Sequence, residues 1–466
     1  MEKVDFLRKK YPRFIYENYF WKISNKNLEI SFDFRIEPNI HFRPKVIIEN
    51  VNKKQIERVG NRVLNNLVFN LGLMEIPSYW KVTCSPKIII KAGSLGKKQI
   101  NWWKWLITNG MGQFFYENKI DWRPKSFLTI KSLLEARPLS VFDKKLRNRY
   151  LVPFAGGRDS IMTLESLKKQ KKEIALFMVN PTERILKTVK VSGIKKQIIV
   201  KRIIDKKLLE LNKKGYLNGH TPFTALLSFL SVLCAILFDY KNIVFSNEKS
   251  ADEGNLKYLG KIINHQWAKS SEFERMFKNY CKKYLAKNIN YLSYLRKYDE
   301  LEISKIITKY PKYFPVFSSC NASMRIGAKQ IRWCGNCPKC LFVYSTLYPF
   351  IGKKELLKIF GKDIFENRKL LPVMKSLMGQ GRPKPFECVG TKKESLIAFY
   401  LSYKKCGGRV SAKLPFLLRY FERNILPKYP NPEKESKKIM NSWNNQHNLP
   451  KEGGFEEILK KMVFKK

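Results

Sequence analysis

Residues 152–160, Val-Pro-Phe-Ala-Gly-Gly-Arg-Asp-Ser, combine the residue types that bind a phosphate group. The adjacent glycines let backbone N–H groups approach an anion closely, and the helix predicted from Ser160 adds partial positive charge at its N-terminus. A glycine pair alone is usually structural, but the order strand, glycines, Asp-Ser, helix favours a nucleotide site. Asp159 could also hold Mg²⁺ on the polyphosphate. The residues expected to contact ATP are Phe154, Gly156, Gly157, Asp159 and Ser160.

Four of the nine cysteines have the spacing of metal ligands. Thirteen residues separate Cys320 from Cys334, and two residues separate Cys334 from Cys337 and Cys337 from Cys340. Four thiolates can enclose a tetrahedral Zn²⁺ and leave no position for water, so the predicted zinc is structural. An iron–sulfur cluster uses the same ligands, so the cysteine spacing alone does not exclude it. The spacing also does not exclude four thiols without a metal.

The chain has four histidines, and two of them, His220 and His265, lie in polar stretches of the sequence. An imidazole has a pKa near working pH, so both histidines are candidates for general acid and base. The alternative for each is a structural, hydrogen-bonded residue. Glu248, Glu253 and Cys388 are further candidates, and Glu248 belongs to a third polar stretch, residues 246–255.

The secondary structure that would position these residues is predicted by the pattern from Arg149 onward, in which strands alternate with helices. Such alternation predicts an α/β fold, a parallel sheet with helices on both faces, in which ligands bind at the carboxyl ends of the strands. Strands are predicted at 150–154, 173–179, 197–200 and 242–245, and helices from Ser160 and from Thr221.

Three regions are predicted from the changes in pattern along the chain. Residues 1–147 contain short alternating stretches and many aromatic residues, typical of an α+β domain without chemistry of its own. Residues 148–400 form the predicted catalytic domain with the four-cysteine metal site. Residues 401–466 are expected to form a basic helical appendage.

The chain carries 90 Lys and Arg against 39 Asp and Glu, a formal charge of +51. This excess would suit a polyanionic partner, but the lysines are spread along the chain without a separate basic tail, which favours solvated helix faces. Nucleic-acid binding is therefore unexpected, although the charge does not exclude it. The N-terminus lacks a secretion signal, so a cytoplasmic protein is expected, and uncharged residues 221–238 are interpreted as a buried helix and not a membrane span.

The glycine loop is not a Walker A motif, because no Lys-Ser or Lys-Thr follows the glycines, and chemistry at the α-phosphate is expected instead. The loop resembles the Ser-Gly-Gly-x-Asp-Ser loop of the N-type ATP pyrophosphatases (PP-loop enzymes), with Ala155 in place of the first serine. The resemblance implies the adenine nucleotide alpha hydrolase-like fold and cleavage of ATP to AMP and pyrophosphate. Cyano-deazaguanine synthases of this superfamily have a similar cysteine pattern around a structural zinc, so zinc is preferred here.

Three further stretches indicate which family within this superfamily the chain resembles, namely 313–321, 332–340 and 384–390. With the loop and the polar stretches they are similar to the UDP-N-acetylmuramoyl-L-alanyl-L-glutamate epimerase family, most strongly over residues 149–392. This resemblance implies an enzyme of peptidoglycan precursor synthesis. With ATP and Mg²⁺ it inverts the terminal L-glutamate of the UDP-N-acetylmuramoyl dipeptide to D-glutamate, releasing AMP and diphosphate.

The implied chemistry is coherent, because adenylation neutralises the carboxylate and makes the adjacent Cα–H easier to ionise, after which an acid and a base exchange the proton. Arg158, Arg325 and Lys384 could pair with the UDP diphosphate or with the glutamate side-chain carboxylate, and a surface salt bridge is the favoured alternative for any single one of them. The other expected substrate contacts are Ser250, Asn255, Gln266 and Ser270. A tRNA-modifying adenylating enzyme and a zinc-stabilised nucleic-acid-binding module are the alternatives.

Overall fold

The computed structural model describes residues 3–135, 140–322, 332–407, 414–441, 444 and 449. Its strands are β1 Arg13–Ser24, β2 Asn27–Ile36, β3 Ile40–Phe42, β4 Lys45–Glu49, β5 Lys87–Ile90, β6 Thr129–Ser132, β7 Tyr150–Pro153, β8 Ile174–Val179, β9 Gln197–Ile203, β10 Asn242–Phe245, β11 Leu256–Tyr258, β12 Lys261–Ile263 and β13 Asn290–Ser293. Its helices are α1 Lys3–Lys10, α2 Lys53–Val59, α3 Asn61–Trp80, α4 Lys97–Gly110, α5 Gly112–Glu117, α6 Arg158–Lys169, α7 Glu183–Ser192, α8 Lys206–Lys213, α9 Phe223–Phe238, α10 Ser271–Tyr284, α11 Glu300–Ile307, α12 Pro338–Leu347, α13 Lys353–Phe360, α14 Leu371–Leu377, α15 Lys392–Lys405, α16 Phe416–Asn424 and α17 Pro432–Met440.

Within these residues, eleven strands form one sheet, in the order β13-β10-β7-β8-β9-β4-β2-β1-β5-β6 with β3 paired to β2. Neighbouring strands are parallel in the run β13-β10-β7-β8-β9, and neighbouring strands are also parallel in the run β1-β5-β6. The intervening pairs β9–β4, β4–β2 and β2–β1 are antiparallel. The expected α/β architecture with a large, mostly parallel sheet is confirmed.

The strands and helices predicted from residue 149 onward are all present, with ends shifted by a few residues. The uncharged stretch 221–238 forms α9, a largely buried helix that packs on α3. It ends where Asp239 adopts a left-handed conformation with φ 65°. Across the part of the chain that the structure describes, no helix combines the length and apolarity needed to span a bilayer.

The sheet passes through the boundary expected at residue 147 without a break. Ile48 of β4 lies opposite Val200 of β9, and one continuous core contains Phe14, near the start of the chain, and Ile243. The two regions are further joined by a two-pronged ion pair between Arg202 and Glu75, with N–O distances of 2.7 and 2.6 Å. Residue 147 therefore does not separate two sheets.

A second core lies beneath the cysteine cluster and is mainly helical. It packs α12 against α11, α14 and α15, and α16 and α17 against α15. The expected C-terminal appendage is helical in its described part. Its expected start at residue 401 falls inside α15, and Phe421 of α16 lies 6.0 Å from Phe399, centroid to centroid.

Candidate functional site

The glycine loop joins the end of β7 to the start of α6. Gly156 has φ +69°, and a Cβ added there would lie 3.2 Å from Thr188 Oγ1, so both conformation and space favour glycine. Its carbonyl accepts a hydrogen bond from the Ser318 N–H at 3.2 Å. Gly157 is the N-cap of α6, and no side chain caps that helix. The first N–H groups of α6 therefore remain able to bind an anion.

A cavity of about 320 Å³ opens over this loop at the carboxyl ends of β7 and β10. Four of the five residues expected to contact ATP line the cavity, and Gly156 instead shapes the turn beneath it. The described lining residues that carry polar side chains are Asp159, Ser160, Thr224, Ser246, Asn247, Lys269, Ser318, Ser319, Asn321 and Lys339, together with Cys388.

Three charged side chains set the electrostatics of the cavity. Burial raises the pKa of Asp159, but Arg158, Lys339 and Lys269 more than offset it, so the pKa is below its ordinary value and the group is ionised. Burial lowers the pKa of Lys269, yet attraction from Cys388, Glu248 and Asp159 raises it above its ordinary value overall. The cavity therefore offers a carboxylate for a cation and ammonium groups for phosphate.

Sequence reasoning missed both lysines. Lys339 stands between two cysteines of the cluster, and its Nζ donates to the Cys388 carbonyl oxygen. Lys269 belongs to the polar stretch around His265, but one lysine among so many carries no distinguishing signal. Only the folded chain identifies them as cavity residues.

Arg158 requires a correction, because its side chain points into the protein and is 1% exposed. Its guanidinium pairs with the buried Glu300 and donates to Thr346 Oγ1 at 3.0 Å and to Ser304. A buried arginine with these partners anchors α6 to α11 and α12 and is not free for a substrate anion. Arg325, expected to play a similar role, lies outside the described residues.

The two candidate acid-base histidines come together although 45 positions separate them in the sequence. The ring centroids of His220 and His265 are 4.5 Å apart. Burial, then His265 and Lys81, lower the pKa of His220 to about 3. Burial, then Lys269 and Lys384, lower the pKa of His265 to about 4, against an opposing effect of Glu117. Both rings are therefore neutral at pH 7 and able to accept a proton.

A short relay fixes the tautomer of His265. Gln113 donates from its amide nitrogen to Glu117 at 2.8 Å, so its oxygen faces His265 Nδ1 at 2.6 Å. An amide oxygen only accepts, so Nδ1 carries the hydrogen and Nε2 keeps its lone pair. Gln113 and Glu117, which sequence reasoning did not select, thus orient the His265 ring.

Several residues expected to contact substrate hold loops together. Asn255 donates to the Pro385 carbonyl oxygen at 2.6 Å and accepts from the His265 N–H at 2.7 Å. Gln266 donates to the Val389 carbonyl oxygen at 3.3 Å, and Ser270 is the N-cap of α10. The bonds of Asn255 and Gln266 hold residues 385–389 beside the histidines, and contact of these three side chains with substrate stays a prediction.

The remaining candidates surround the same region. Lys384 is buried, with its Nζ 3.2 Å from Glu253. Glu248 is 2% exposed, and its Oε2 has no hydrogen-bond partner among the described residues. Ser250 is also buried, and it is not part of the cavity lining. Cys388 lines the cavity, with its Sγ 3.2 Å from Lys269 Nζ.

The four cysteines converge as the spacing predicts, with their sulfur atoms within 4.8 Å of one another. The Sγ–Sγ distances are 4.0 Å for Cys320–Cys337, 3.7 Å for Cys334–Cys340 and 3.5 Å for Cys337–Cys340. Gly335, with φ +65°, makes the tight turn after Cys334. Such a group could hold a metal ion, and it lies next to the glycine loop through Ser318.

Two family models match the chain, the MurL N-terminal domain over residues 5–294 and the MurL C-terminal domain over residues 316–412. A curated relative from Salinispora tropica is 34% identical over 355 residues, 76% of each chain. A Micromonospora relative is 33% identical over 70% of this chain and 72% of its own, and one from Xanthomonas oryzae pv. oryzae is 30% identical over 82% and 83%. All three are named UDP-N-acetyl-alpha-D-muramoyl-L-alanyl-L-glutamate epimerase.

Proposed function

The chain belongs to the MurL family, and from this membership we propose that it epimerises the terminal glutamate of UDP-N-acetylmuramoyl-L-alanyl-L-glutamate. The product carries D-glutamate, and the reaction belongs to the synthesis of peptidoglycan precursors. The observation that supports the proposal is that Lys269 lies between the glycine loop, whose cavity it lines, and the pair of neutral histidines, because its charge acts on His265.

The chemical difficulty of the reaction explains why a phosphate site should lie beside an acid-base site. A free carboxylate resists loss of the neighbouring Cα proton, because the carbanion would form beside an existing negative charge. Attack of the carboxylate on the α-phosphate of ATP gives an acyl-adenylate and releases diphosphate. The uncharged acyl carbonyl can then accept the electron pair, so deprotonation becomes feasible.

The loop residues support the adenylation step. The free N–H groups at the start of α6 and the Ser160 hydroxyl would hold the polyphosphate, with Phe154 beside the nucleotide. Ionised Asp159 would hold Mg²⁺, which supplies charge neutralisation on the polyphosphate when bound. Lys269 and Lys339 would offset the charge that builds on phosphate during transfer.

The histidines support the proton transfer. With Nδ1–H directed at Gln113, the Nε2 atom of His265 would act as the base, and the ring of His220 packs against it at a tilt of 49°. The buried cation of Lys384 is suited to a substrate carboxylate, because its partner Glu253 is only partly buried and could be displaced. Glu248 and Cys388 remain further acid-base candidates.

We expect the four cysteines to hold a structural zinc. A tetrahedral site with Zn–S bonds of about 2.3 Å requires sulfur–sulfur distances of roughly 3.8 Å, close to the separations in the cluster. Elemental analysis of the purified protein should find one zinc per chain. Iron with acid-labile sulfide in its place would overturn the assignment.

One reaction tests the proposed function. Purified protein is incubated with Mg²⁺, ATP and the UDP-N-acetylmuramoyl-L-Ala-L-Glu dipeptide, and both AMP release and the configuration of glutamate are measured. The proposal expects AMP and D-glutamate to form together. AMP without D-glutamate would leave adenylation standing and refute epimerisation, and D-glutamate without AMP would refute the acyl-adenylate route.

A further inference from the structure

The contact between the two histidines limits what they can do together. Inversion at Cα requires one group that removes the proton from one face and another that delivers a proton to the opposite face. A carbon held between two such groups needs about 3.5 to 4 Å to each of them, so the groups must be roughly 7 Å apart or more. The ring centroids of His220 and His265 are 4.5 Å apart, so the pair serves one face.

The second group must therefore come from outside the histidine pair. The cavity over the glycine loop can supply such a group, because Lys269, whose charge acts on His265, lines that cavity. Among the described lining residues, Asp159 is expected to hold Mg²⁺ and Ser160 to bind the polyphosphate. Lys269 and Lys339 are cations and cannot accept a proton. Cys388 is the lining residue that remains, and its thiol is a group that can both give and take a proton.

The two acidic candidates of the polar stretch 246–255, Glu248 and Glu253, lack the position of Cys388 in the cavity lining. Glu248 is not part of the cavity lining, and the carbonyl oxygen of the same residue accepts from the buried Arg296 at 2.7 Å. Glu253 pairs with Lys384 at 3.2 Å and accepts from the Lys392 N–H at 3.0 Å. Neither carboxylate borders the cavity that contains the phosphate loop.

We propose that Cys388 is the proton-transfer group on the face of the glutamate Cα opposite the histidine pair, with Lys269 as its counter-ion. The inference rests on the proposed epimerase function. It is carried by the 3.2 Å separation of Sγ and Nζ, and by the cavity that both residues line. An adjacent ammonium stabilises the thiolate, which is the form that accepts a proton.

Lys269 links the three parts of the mechanism. Its charge acts on Asp159 of the phosphate loop, on His265 and on Cys388, and its raised pKa keeps it protonated. The same ammonium can stabilise the enolate that forms from the acyl-adenylate, because negative charge then moves onto the acyl oxygen. One cation thus serves both the thiolate and the intermediate.

The proton and electron balance is as follows. In the direction from L to D, one group, either histidine Nε2 or thiolate, takes the Cα proton, and the C–H electron pair moves onto the acyl oxygen as an enolate. The carbonyl re-forms as Cα takes a proton from the other group, either S–H or imidazolium, on the opposite face. Water then cleaves the acyl-adenylate to carboxylate and AMP, and the two groups regain their starting protonation by exchange with solvent.

The test uses Cys388→Ala in D₂O with ATP, Mg²⁺ and, separately, the L-Glu and D-Glu forms of the UDP-muramoyl dipeptide. AMP release, deuterium at the glutamate Cα and configuration are measured. The wild-type protein should place deuterium in both epimers. The variant should release AMP within about threefold of wild type, lose epimerisation at least about 100-fold, and exchange the Cα hydrogen of one epimer only, with retention.

A one-sided exchange is the signature of a single remaining base, which a merely structural cysteine would not produce. Cys388→Ser should behave like Cys388→Ala, because a hydroxyl is too weak an acid to replace the thiol. Cys406→Ala is the matched control: Cys406 is also half-buried, contacts Tyr348 at 3.0 Å, and should leave all three readouts unchanged.

Three results would overturn the role of Cys388: near-wild-type epimerisation, exchange into both epimers or neither, or a parallel loss of AMP release. Thermal unfolding of each variant shows whether the fold is intact. If the wild-type protein itself forms no D-glutamate, the proposed function fails. If only the Cys388 variants depart from expectation, the epimerase function stands and this inference alone fails.

Discussion

The glycine loop, which we propose binds phosphate, and the pair His220 and His265 are built in opposite ways. The loop uses nine consecutive residues, 152–160, with its conformation fixed by the adjacent strand, helix and glycines. The histidine pair is assembled from four separate segments that contribute Gln113, His220, His265 and Lys384. A locally encoded site can be identified from a short motif, whereas a site assembled over long range requires the whole fold.

In the proposed mechanism, the difference also separates the two chemical steps, adenylation and inversion. Changes in the loop should abolish adenylation and hence everything that follows it. Changes around the histidines should spare adenylation and affect only the inversion. Measuring AMP release and glutamate configuration together therefore tests whether the two regions act as distinct parts.

The largest effect is expected from Asp159→Asn. Loss of the ionised carboxylate removes the expected Mg²⁺ ligand, so AMP release and inversion should both fall by about 100- to 1000-fold. The readout is AMP release under saturating Mg²⁺ and ATP. Glu210→Gln, on the exposed surface of α8, is the control and should match wild type. Full AMP release by Asp159→Asn would remove the loop from the proposed mechanism.

A somewhat smaller and more selective effect is expected from His265→Asn. Removing the base should lower inversion about 100-fold while AMP release persists, because the phosphate loop is untouched. Chiral analysis of glutamate alongside AMP gives both values. His41→Asn, on the exposed part of β3, serves as the control. If AMP release fell as far as inversion did, the two regions would not be separable.

Gln113→Leu should lower inversion by about tenfold, the range in which partners that orient a base act. The substitution removes the acceptor for His265 Nδ1–H, so the tautomer with a free Nε2 is no longer favoured. AMP release should be unchanged. Gln197→Leu, exposed at the start of β9, provides the comparison. A variant with normal inversion would show that the hydrogen bond has no part in orienting His265.

The last prediction concerns the stability of the fold at low pH and not activity. Both histidines have folded pKa values, about 3 and about 4, below the ordinary value of 6.5, so the unfolded state binds more protons between pH 6.5 and these values. Their stabilising effect is complete above pH 6.5 and is lost as pH falls, with a slope of at most about 1.4 kcal/mol per pH unit for each histidine. Thermal unfolding from pH 7 to 4.5 measures the loss.

The His220→Asn, His265→Asn double variant provides the control for that measurement. It should lose less stability over the same pH interval than the wild type, because its substituted side chains do not titrate. Equal losses in the two proteins would mean that other groups account for the acid sensitivity.

The sequence predicted those features that depend on neighbours along the chain. Strands and helices between 150 and 245 follow from hydrophobic pattern, and convergence of Cys320 with the later three cysteines follows from ligand spacing. The family was also predicted from short motifs, and the matches to the MurL models confirm it.

What the sequence did not predict depends on three-dimensional neighbours. Nothing local distinguishes Lys269 and Lys339 from the other lysines, and their role follows only from lining the cavity with Asp159. Arg158 has the residue type of an anion ligand, but the direction of its side chain into α11 reverses that expectation. Gln113 is an ordinary helical residue until the fold brings it to His265.

The antiparallel pairing of β4 with β9 has a practical consequence for dissecting the protein. A fragment beginning near residue 148 would retain the phosphate loop but leave β9 as a bare edge, with Ile198 and Val200 alternating along it. Such an edge is a template for pairing with other copies, so the fragment should aggregate. Useful shortened versions of this enzyme must therefore keep the first four strands.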